Sequence, residues 1–290
     1  MISALAYTPR RGPLNESGAL AASVYLGSFA LVALLFSNPV VLAGAGVAVL
    51  IAGIVAHATA ALRLSVKWGL ALGLVLVAIN GLVSQRGDTI LIHGITLPPL
   101  GTLDVSAEAL AEGAVLALRV VVVMMAFSVH AAAVDPDGVF RLLRPFASRS
   151  ALTAALIARM VPLAAADHGR IREAAALRGP GAAPVGRAAI ARRLLGGSLD
   201  RSVDVAATLE LRGYARGAPR TPGRVRGSRH DLAFLGVGVT VIAVAIAARV
   251  MGFAGFDPYP TLAVATDPLS LALAAVLPLL AAAPFIHADD

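Results

Sequence analysis

The sequence predicts an all-α protein: a polytopic membrane helix bundle of about six transmembrane helices, with two long helices on the cytoplasmic side. Three features of the composition support this fold class: of the 290 residues 58% are hydrophobic, only 14% are charged, and the mean hydropathy is +0.82. Soluble domains are closer to half apolar and a quarter charged, so this is the composition of a membrane protein. The chain has no cysteine, which excludes disulfides, thiolate metal sites and cysteine nucleophiles.

Six apolar stretches predict the membrane helices, because about 20 residues cross a hydrocarbon core of about 30 Å. Asn-Pro at 38–39 separates the first two, and Ser106 offers an N-cap for the fourth. Residues 88–106 alternate apolar and polar around Gly94, which is compatible with a short hairpin. No cleavage pattern follows the first stretch, so we expect this helix to be retained as a span. The predicted spans are 19–36, 40–60, 66–84, 107–132, 232–252 and 268–286.

The distribution of positive charge predicts the orientation. Residues 135–231 hold 17 of the 24 Lys and Arg, whereas 253–267 has none and 85–106 has only Arg86. The positive-inside rule therefore places both termini and 135–231 in the cytoplasm, with the other two loops outside. The predicted segments are 1–134 with membrane helices one to four, 135–231 with the cytoplasmic helices, and 232–290 with two C-terminal membrane helices.

Two amphipathic helices are predicted within the cytoplasmic segment. In the first, apolar residues recur at helical spacing from Leu152 to Leu177, with charged residues between them that forbid a membrane span. Pro162 is expected to bend or divide this helix. The second helix runs from about 187 to 212, and Gly-Gly at 196–197 weakens its pattern.

Each of these helices ends in Leu-Arg-Gly, and the two arginines, Arg178 and Arg212, are 34 residues apart. Gly179 and Gly213 fit the left-handed position that ends a helix, and an arginine in the last turn complements the helix dipole by about 0.3–1 kcal/mol. The repetition favours a second interpretation, because a guanidinium at a helix end can bind a carboxylate in a partner's groove through two hydrogen bonds.

Both ends also carry a glutamate. Glu173 lies five residues before the first arginine, and Glu210 lies two residues before the second.

The segments "REAAALRG" (172–179) and "ATLELRGYARGAPRT" (207–221) resemble the two Ala-Arg-Gly signatures of the transmembrane T component of energy-coupling-factor (ECF) ABC transporters, the CbiQ/EcfT family. Residues 108–124 and 134–146 follow in the family's order as well. The chain departs from the signatures at Leu177 and Leu211, which stand where the family usually has Ala or another small residue.

The resemblance implies the scaffold and coupling subunit of an importer for a vitamin or a Ni/Co ion, in the plasma membrane of a bacterium. It implies three partners: two ABC ATPases (a homo- or heterodimer), a small substrate-binding S component, and the lipid bilayer. The ATPase-coupling residues would be Arg178 and Arg212 with Gly179, Gly213, Glu173 and Glu210 beside them.

From this resemblance we expect that the chain is not an enzyme and holds no cofactor. ATP and Mg²⁺ would be bound by the partner ATPases. Its only lysine, Lys67, belongs to no Gly-x-x-x-x-Gly-Lys motif, so the sequence contains no phosphate-binding loop.

Three polar residues fall inside predicted spans. Arg119 lies near the middle of the fourth span, where a charge faces the bundle interior and has a partner. Glu112, seven residues earlier on a similar face, is the intrahelical candidate, and structural pairing is favoured over substrate contact. Asn80 in the third span is expected to donate a hydrogen bond to another helix.

Other functions are less compatible with the sequence. The six histidines show no metal-binding spacing, so no metal site is predicted. The arginine-rich segment 212–230 has one aromatic residue and precedes a span, which favours anionic lipid over nucleic acid. A membrane-bound enzyme and a stand-alone permease stay open as alternatives, although no catalytic set is visible and the spans hold few polar residues.

Overall fold

The structure, a computed structural model, describes residues 7, 12–83, 89–92, 96–97, 101–102, 105–143, 148–178, 185–211, 230–257, 263–264 and 267–286. Two compact units are present: residues 1–142 together with 227–290, and residues 143–226. The first unit contains α1 (Pro13–Glu16), α2 (Ala19–Leu35), α3 (Pro39–Val55), α4 (Thr59–Val83), α5 (Ala107–Ala133), α6 (Pro136–Leu143, whose last residue belongs to the second unit), α9 (Asp231–Val250) and α10 (Pro268–Ile286). The second unit contains α7 (Ser148–Ala176) and α8 (Arg187–Leu211).

The predicted all-α membrane bundle is confirmed. Among the described residues, four helices are long and apolar enough to cross a membrane: α4, α5, α9 and α10. The apolar helices α2 and α3 are shorter, with 17 residues each, or about 25 Å at 1.5 Å per residue. These six helices correspond in order to the six predicted spans.

The turn between α3 and α4 differs from the prediction. The second span was expected to reach residue 60 and the third to begin at 66, but α3 ends at Val55 and α4 begins at Thr59. His57 has a φ of 56°, and the amide of Ala58 donates to the carbonyl of Gly53 at 2.8 Å. This is the left-handed helix end that glycine usually supplies. Because a histidine takes that conformation here, no glycine in the sequence marked the turn.

Short contacts between helix backbones hold the first unit together. α5 packs along α4 and also contacts α2 and α3, while α9 packs on α2 and α10 packs on α3. A Cβ placed on Gly44 of α3 would lie 2.8 Å from the Cα of Ala274, and one on Gly238 of α9 would lie 2.9 Å from the backbone nitrogen of Tyr25. Small residues at such crossings are how membrane helices approach closely.

The α4–α5 crossing uses the same device along most of its length. A Cβ added to Gly73 of α4 would lie 2.9 Å from the Cβ of Ala117, and one added to Gly113 of α5 would lie 2.9 Å from the Cα of Val77. Gly69, four residues before Gly73, faces α5 as well. The two helices therefore approach each other closely over several turns, with glycines at the points of contact.

An aromatic cluster fills the interior between α2, α9 and α10. Tyr25 is fully buried and its ring meets Phe29, Phe234 and Phe285 edge to face, with centroids 5.1–6.3 Å apart. Its hydroxyl donates to the carbonyl of Ala281 at 2.7 Å, so the buried polar atom is satisfied.

Hydrogen bonds between loops show which helix ends lie together. At one end the side-chain amide of Asn38, between α2 and α3, donates to the carbonyl of Gly255, just after α9, at 3.3 Å. At the other end the amide of Gly18, before α2, donates to a carboxylate oxygen of Asp231, at the start of α9, at 2.6 Å. The two contacts show that α2 and α9 run in the same direction, as the predicted topology requires. Which end is cytoplasmic stays a prediction.

The connection between α4 and α5 forms the expected hairpin. β1 (Ile90–Ile92) pairs antiparallel with β4 (Val105–Ser106), and β2 (Thr96–Leu97) pairs with β3 (Gly101–Thr102). The Ser106 hydroxyl caps α5 by accepting from the amide of Ala109 at 3.2 Å. A third pair of strands, β5 (Phe256–Asp257) and β6 (Ala263–Val264), lies between α9 and α10.

The second unit consists of two long helices that contact each other. α7 has 29 residues and continues through Pro162, so the helix is not divided there. α8 has 25 residues and continues through Gly196 and Gly197, and none of its residues is buried. The predicted amphipathic helices are thus present, with the second matching its expected range to within a residue.

Candidate functional site: the ends of two paired helices

The end of α7 is described as far as Arg178. The amide of Leu177 donates to the carbonyl of Glu173 at 3.0 Å, which continues the helical pattern by one residue. The amide of Arg178 then donates to the carbonyl of Ala175 at 3.5 Å, so the last turn tightens to a three-residue spacing. The helix therefore carries the arginine at its tip, beyond the last regular turn.

The Arg178 side chain is exposed, and within the described residues its guanidinium has no hydrogen-bond or ion-pair partner. The carboxylate of Glu173, on the preceding turn, is exposed as well. An unengaged guanidinium at a helix tip presents its fork of N–H donors to whatever approaches the helix end, and a carboxylate or a set of carbonyl oxygens is its natural acceptor.

The end of α8 is described as far as Leu211, with Glu210 exposed beside it. The predicted coupling residues Gly179, Arg212 and Gly213 lie outside the described residues. Arg212 follows the last residue of α8 directly, so the helix carries the chain up to that position.

The two leucines before the arginines are the most exposed large apolar side chains in the described part of the chain. Leu177 is 87% exposed and Leu211 is 89% exposed. A single exposed leucine is unremarkable, but two at helix ends, each directly before an arginine in the sequence, favour an apolar contact at these ends. The described end of α7 thus combines one large apolar side chain with one cation, Arg178.

Arg119 has different partners from the one predicted. Its Nε donates to the carbonyl of Ala33 at 3.0 Å, and its Nη2 donates to the carbonyl of Phe36 at 3.1 Å and to the hydroxyl of Ser37 at 2.8 Å. None of these groups belongs to Glu112. The hydrogen bonds that the structure gives Arg119 are therefore not the predicted pairing with Glu112.

The physical reason is the short length of α2. The last carbonyls of a helix have no partner within it, and α2 ends at the level of Arg119, twelve residues into α5. Away from water, those carbonyls need donors, and the guanidinium supplies three N–H···O contacts at once. Arg119 caps α2 from a neighbouring helix, which is a structural role.

Asn80 also departs from its prediction. Its amide donates to the carbonyl of Leu76, four residues earlier in the same helix, at 3.1 Å, and not to another helix. Its Cβ faces α5, 3.1 Å from the position that a Cβ on Gly113 would take. A larger side chain on α5 at that point would displace Asn80, so the residue contributes packing to the crossing and satisfies its own donor locally.

The described residues contain no group of three or more His, Asp or Glu side chains that could hold a metal ion. The charged groups that the structure brings together on α7 and α8 are instead Asp167, Arg170 and Arg201, which form two ion pairs. Sequence reasoning treated Asp167 and Arg170 only as charges that exclude a membrane span. The signal that would have found the interhelical pair is its 34-residue separation, the same as that of the tip arginines.

Comparison with known proteins identifies a family for this chain. The sequence profile of the family CbiQ, cobalt transport protein, matches residues 13–222, which is most of the chain and includes α1 to α8. No curated protein matches the chain. Because the match covers well over half of the 290 residues, the chain belongs to the CbiQ family of cobalt transport proteins, and it is a membrane transport protein.

Proposed function

We propose that this chain is the transmembrane T component, the scaffold and coupling subunit, of an ECF-type ABC importer. The observation that carries the proposal is the form of α7 and α8. Two long helices pack on each other, and the end of each presents an exposed leucine immediately before an arginine. Membership of the CbiQ family supports the transport function in general.

In the proposed mechanism two ABC ATPases, a homo- or heterodimer, close on ATP and carry the helix tips with them. Arg178 and Arg212 bind acceptor groups in a groove of each ATPase, flanked by Gly179 and Gly213, while Glu173 and Glu210 lie near the same surfaces. Helices of 29 and 25 residues are about 43 and 37 Å long, so they act as levers that carry the motion to the membrane.

Leu177 and Leu211 extend this contact with an apolar component. Full burial of a leucine contributes about 1.5–3 kcal/mol, comparable with one charge-assisted hydrogen bond of about 1.5–3 kcal/mol. We therefore expect each ATPase groove to have an apolar subsite beside the acceptor group that binds the arginine. In relatives, a smaller residue would occupy the corresponding subsite.

The chain itself binds no nucleotide in this proposal, since its only lysine belongs to no phosphate-binding loop. ATP and Mg²⁺ are held by the ATPases, and the substrate is held by a small membrane S component that reorients to release it. The family description favours Co²⁺ as the substrate, with Ni²⁺ or a vitamin as the other candidates. Residues 1–134 and 232–290 form the scaffold in a bacterial plasma membrane, with both termini and 135–231 in the cytoplasm.

The experiment is reconstitution in lipid vesicles. The chain is inserted alone, with its ATPase pair, or with the ATPase pair and the S component, and uptake of radiolabelled Co²⁺ is measured with and without ATP. We expect uptake only in the complete, ATP-supplied set. Uptake by vesicles that hold the chain alone would instead establish the stand-alone permease.

A further inference from the structure

The contact between α7 and α8 contains a half-buried ion pair. A guanidinium nitrogen of Arg201 on α8 lies 2.9 Å from a carboxylate oxygen of Asp167 on α7, and the two side chains are 33% and 25% exposed. The other oxygen of Asp167 lies 3.5 Å from Arg170 of the same helix, whose side chain is 73% exposed. Both oxygens of the carboxylate are thus engaged, and the shorter contact joins the two helices.

The charged pair interrupts two otherwise apolar stripes. The half-buried positions of α7 include a series at intervals of three or four residues (160, 164, 167, 171 and 175), with others at 154, 156, 158 and 169. On α8 they recur at intervals of four or seven, a spacing that places them on one side of the helix. Asp167 and Arg201 occupy one such position each. The half-buried positions that flank them are Met160, Ala164, Ile171 and Ala175 on α7 and Ile190, Leu194, Val205 and Leu209 on α8.

A charged residue within an apolar seam specifies register. If α8 moved by one turn along α7, Asp167 and Arg201 would each face an apolar side chain while still partly desolvated, which is costly for a charge. A polar residue at a single seam position selects the alignment of paired helices in the same way. The apolar residues of the seam, mostly alanine, leucine and isoleucine, would tolerate such a shift far more easily.

The pair also lies at the same distance from both helix tips. Arg178 follows Asp167 by 11 residues, and Arg212 follows Arg201 by 11 residues. Eleven residues are about three helical turns, or about 16 Å, so a residue 11 positions on returns to nearly the same helix face. In the alignment that forms the ion pair, the length of chain from the pair to the tip arginine is therefore the same on both helices.

We propose that Asp167 and Arg201 are positioning residues that fix the register of α7 against α8, and thereby the spacing of the two arginine tips that bind the ATPases. The effect on ATPase binding and transport rests on the proposed function. The fixed register of α7 against α8 is a property of this chain alone. Loss of either charge frees the helices to slip by a turn, and the tips no longer match two ATPase grooves at once.

The absence of cysteine from the chain makes the register directly measurable. Spin labels are attached to Ala176→Cys on α7 and Ala207→Cys on α8, both exposed positions near the tips, in the full chain in lipid nanodiscs. Distances are compared in the parent, Asp167→Asn, Arg201→Gln and the double variant. Asp204→Asn and Arg193→Gln remove exposed charges from α8 and serve as matched controls.

We expect a single distance population in the parent and the controls. Each neutralising variant adds a second distance population, shifted by up to about 5 Å, the rise of one helical turn. The double variant shows no larger second population than the single variants. Arg201→Lys keeps the charge and restores the parent distribution. Unchanged distances in Asp167→Asn and Arg201→Gln would overturn the proposal, as would slippage of equal size in the controls.

A second readout separates this inference from the proposed function. In the complete vesicle system, Asp167→Asn is expected to reduce ATP-driven uptake at least several-fold, whereas the controls retain it. If the labels show slippage and uptake is unchanged, the positioning role is wrong while the T-component assignment stands. If no ATPase binds even the parent chain, the proposed function fails, and the spin-label distances still decide the register.

Discussion

In the bundle formed by α2 to α5, α9 and α10, most helical glycines lie where helices touch, whereas the described glycines of the α7–α8 pair face open space. No heavy atom lies within 4 Å of a Cβ added to Gly169, Gly196 or Gly197, but the backbone of Ala274 occupies the space beside Gly44. α8 buries none of its residues, while α3 buries eight. The bundle is thus held by close packing along its length, whereas the described contact between α7 and α8 is thin and includes the Asp167–Arg201 ion pair.

This difference matches the proposed division of labour. A scaffold that resists deformation needs backbones in contact, because packed interiors shift between discrete arrangements and do not bend continuously. Helices that transmit motion between separate subunits need exposed faces and few fixed contacts.

The close packing of the bundle predicts severe damage from Gly44→Leu. Its Cβ alone would lie 2.8 Å from the Cα of Ala274, so α10 would have to move away from α3. We expect destabilisation at or above the upper end of the about 1–3 kcal/mol typical of an overpacked core, seen as loss of monodisperse protein in detergent. Gly27→Leu on α2 is the matched control, because nothing lies within 4 Å of that position. Equal recovery of both variants would contradict the packing account.

Arg119→Leu tests the cap on α2. The substitution leaves the carbonyls of Ala33 and Phe36 without their donors, at a cost of about 1–3 kcal/mol for each unsatisfied group. Thermal unfolding in detergent should show a clearly lower midpoint. Arg119→Lys keeps the charge but lacks the planar fork, so we expect an intermediate midpoint. Glu112→Gln should leave the Arg119 contacts intact; if it lowers the midpoint as much as Arg119→Leu does, the two residues depend on each other after all.

Leu177→Ala combined with Leu211→Ala tests the apolar component of the helix tips. Because both side chains are 87–89% exposed, their removal costs the isolated chain little stability. Binding of the ATPases should weaken about ten-fold for each leucine whose burial contributes about 1.4 kcal/mol. Leu199→Ala, 66% exposed on α8 away from the tip, is the control and should bind as the parent does. Unchanged affinity in the tip variant would remove the apolar subsite from the proposal.

Gly196→Ala with Gly197→Ala is expected to have the smallest effect and the opposite sign. The added methyl groups meet open space, and alanine favours a helix over glycine by about 1 kcal/mol per residue. Hydrogen exchange in the middle of α8 should slow in the variant. Gly73→Ala on α4, whose Cβ would lie 2.9 Å from that of Ala117, should destabilise the bundle. A gain in stability from Gly73→Ala would show that the two regions do not differ as described.

The elements that sequence reasoning predicted well are those with a strong local pattern. Runs of apolar residues located six helices, and 3.6-residue periodicity located α7 and α8, because each of these signals lies within the element itself. The end of α3 was missed because His57 takes the left-handed conformation that the sequence pattern assigns to glycine. Likewise, helix continuity through Pro162 depends on the whole of α7 and not on the proline alone.

Contacts between residues far apart in the sequence could not be predicted from local sequence patterns. Glu112 was a reasonable local partner for Arg119, but the acceptors are two carbonyls, 83 and 86 residues earlier, and the Ser37 hydroxyl. Every residue has a carbonyl, so no sequence pattern marked these two. Asn80 satisfied its donor within its own helix, which spacing could not distinguish from an interhelical bond. For Asp167 and Arg201 the 34-residue separation was visible, but its meaning required the observed contact between α7 and α8.

The central claim, that the tips of α7 and α8 hold the ATPases, is tested most directly by charge reversal with an affinity readout. The parent, Arg178→Glu, Arg212→Glu and the double variant are purified in nanodiscs, and the amount of ATPase retained by each is measured. Arg172→Glu and Arg192→Glu, exposed arginines on the same helices, control for the change in net charge. We expect each tip variant to lose most of the ATPase, the double variant to retain none, and both controls to match the parent. Full retention of the ATPase pair by the double variant would contradict the account.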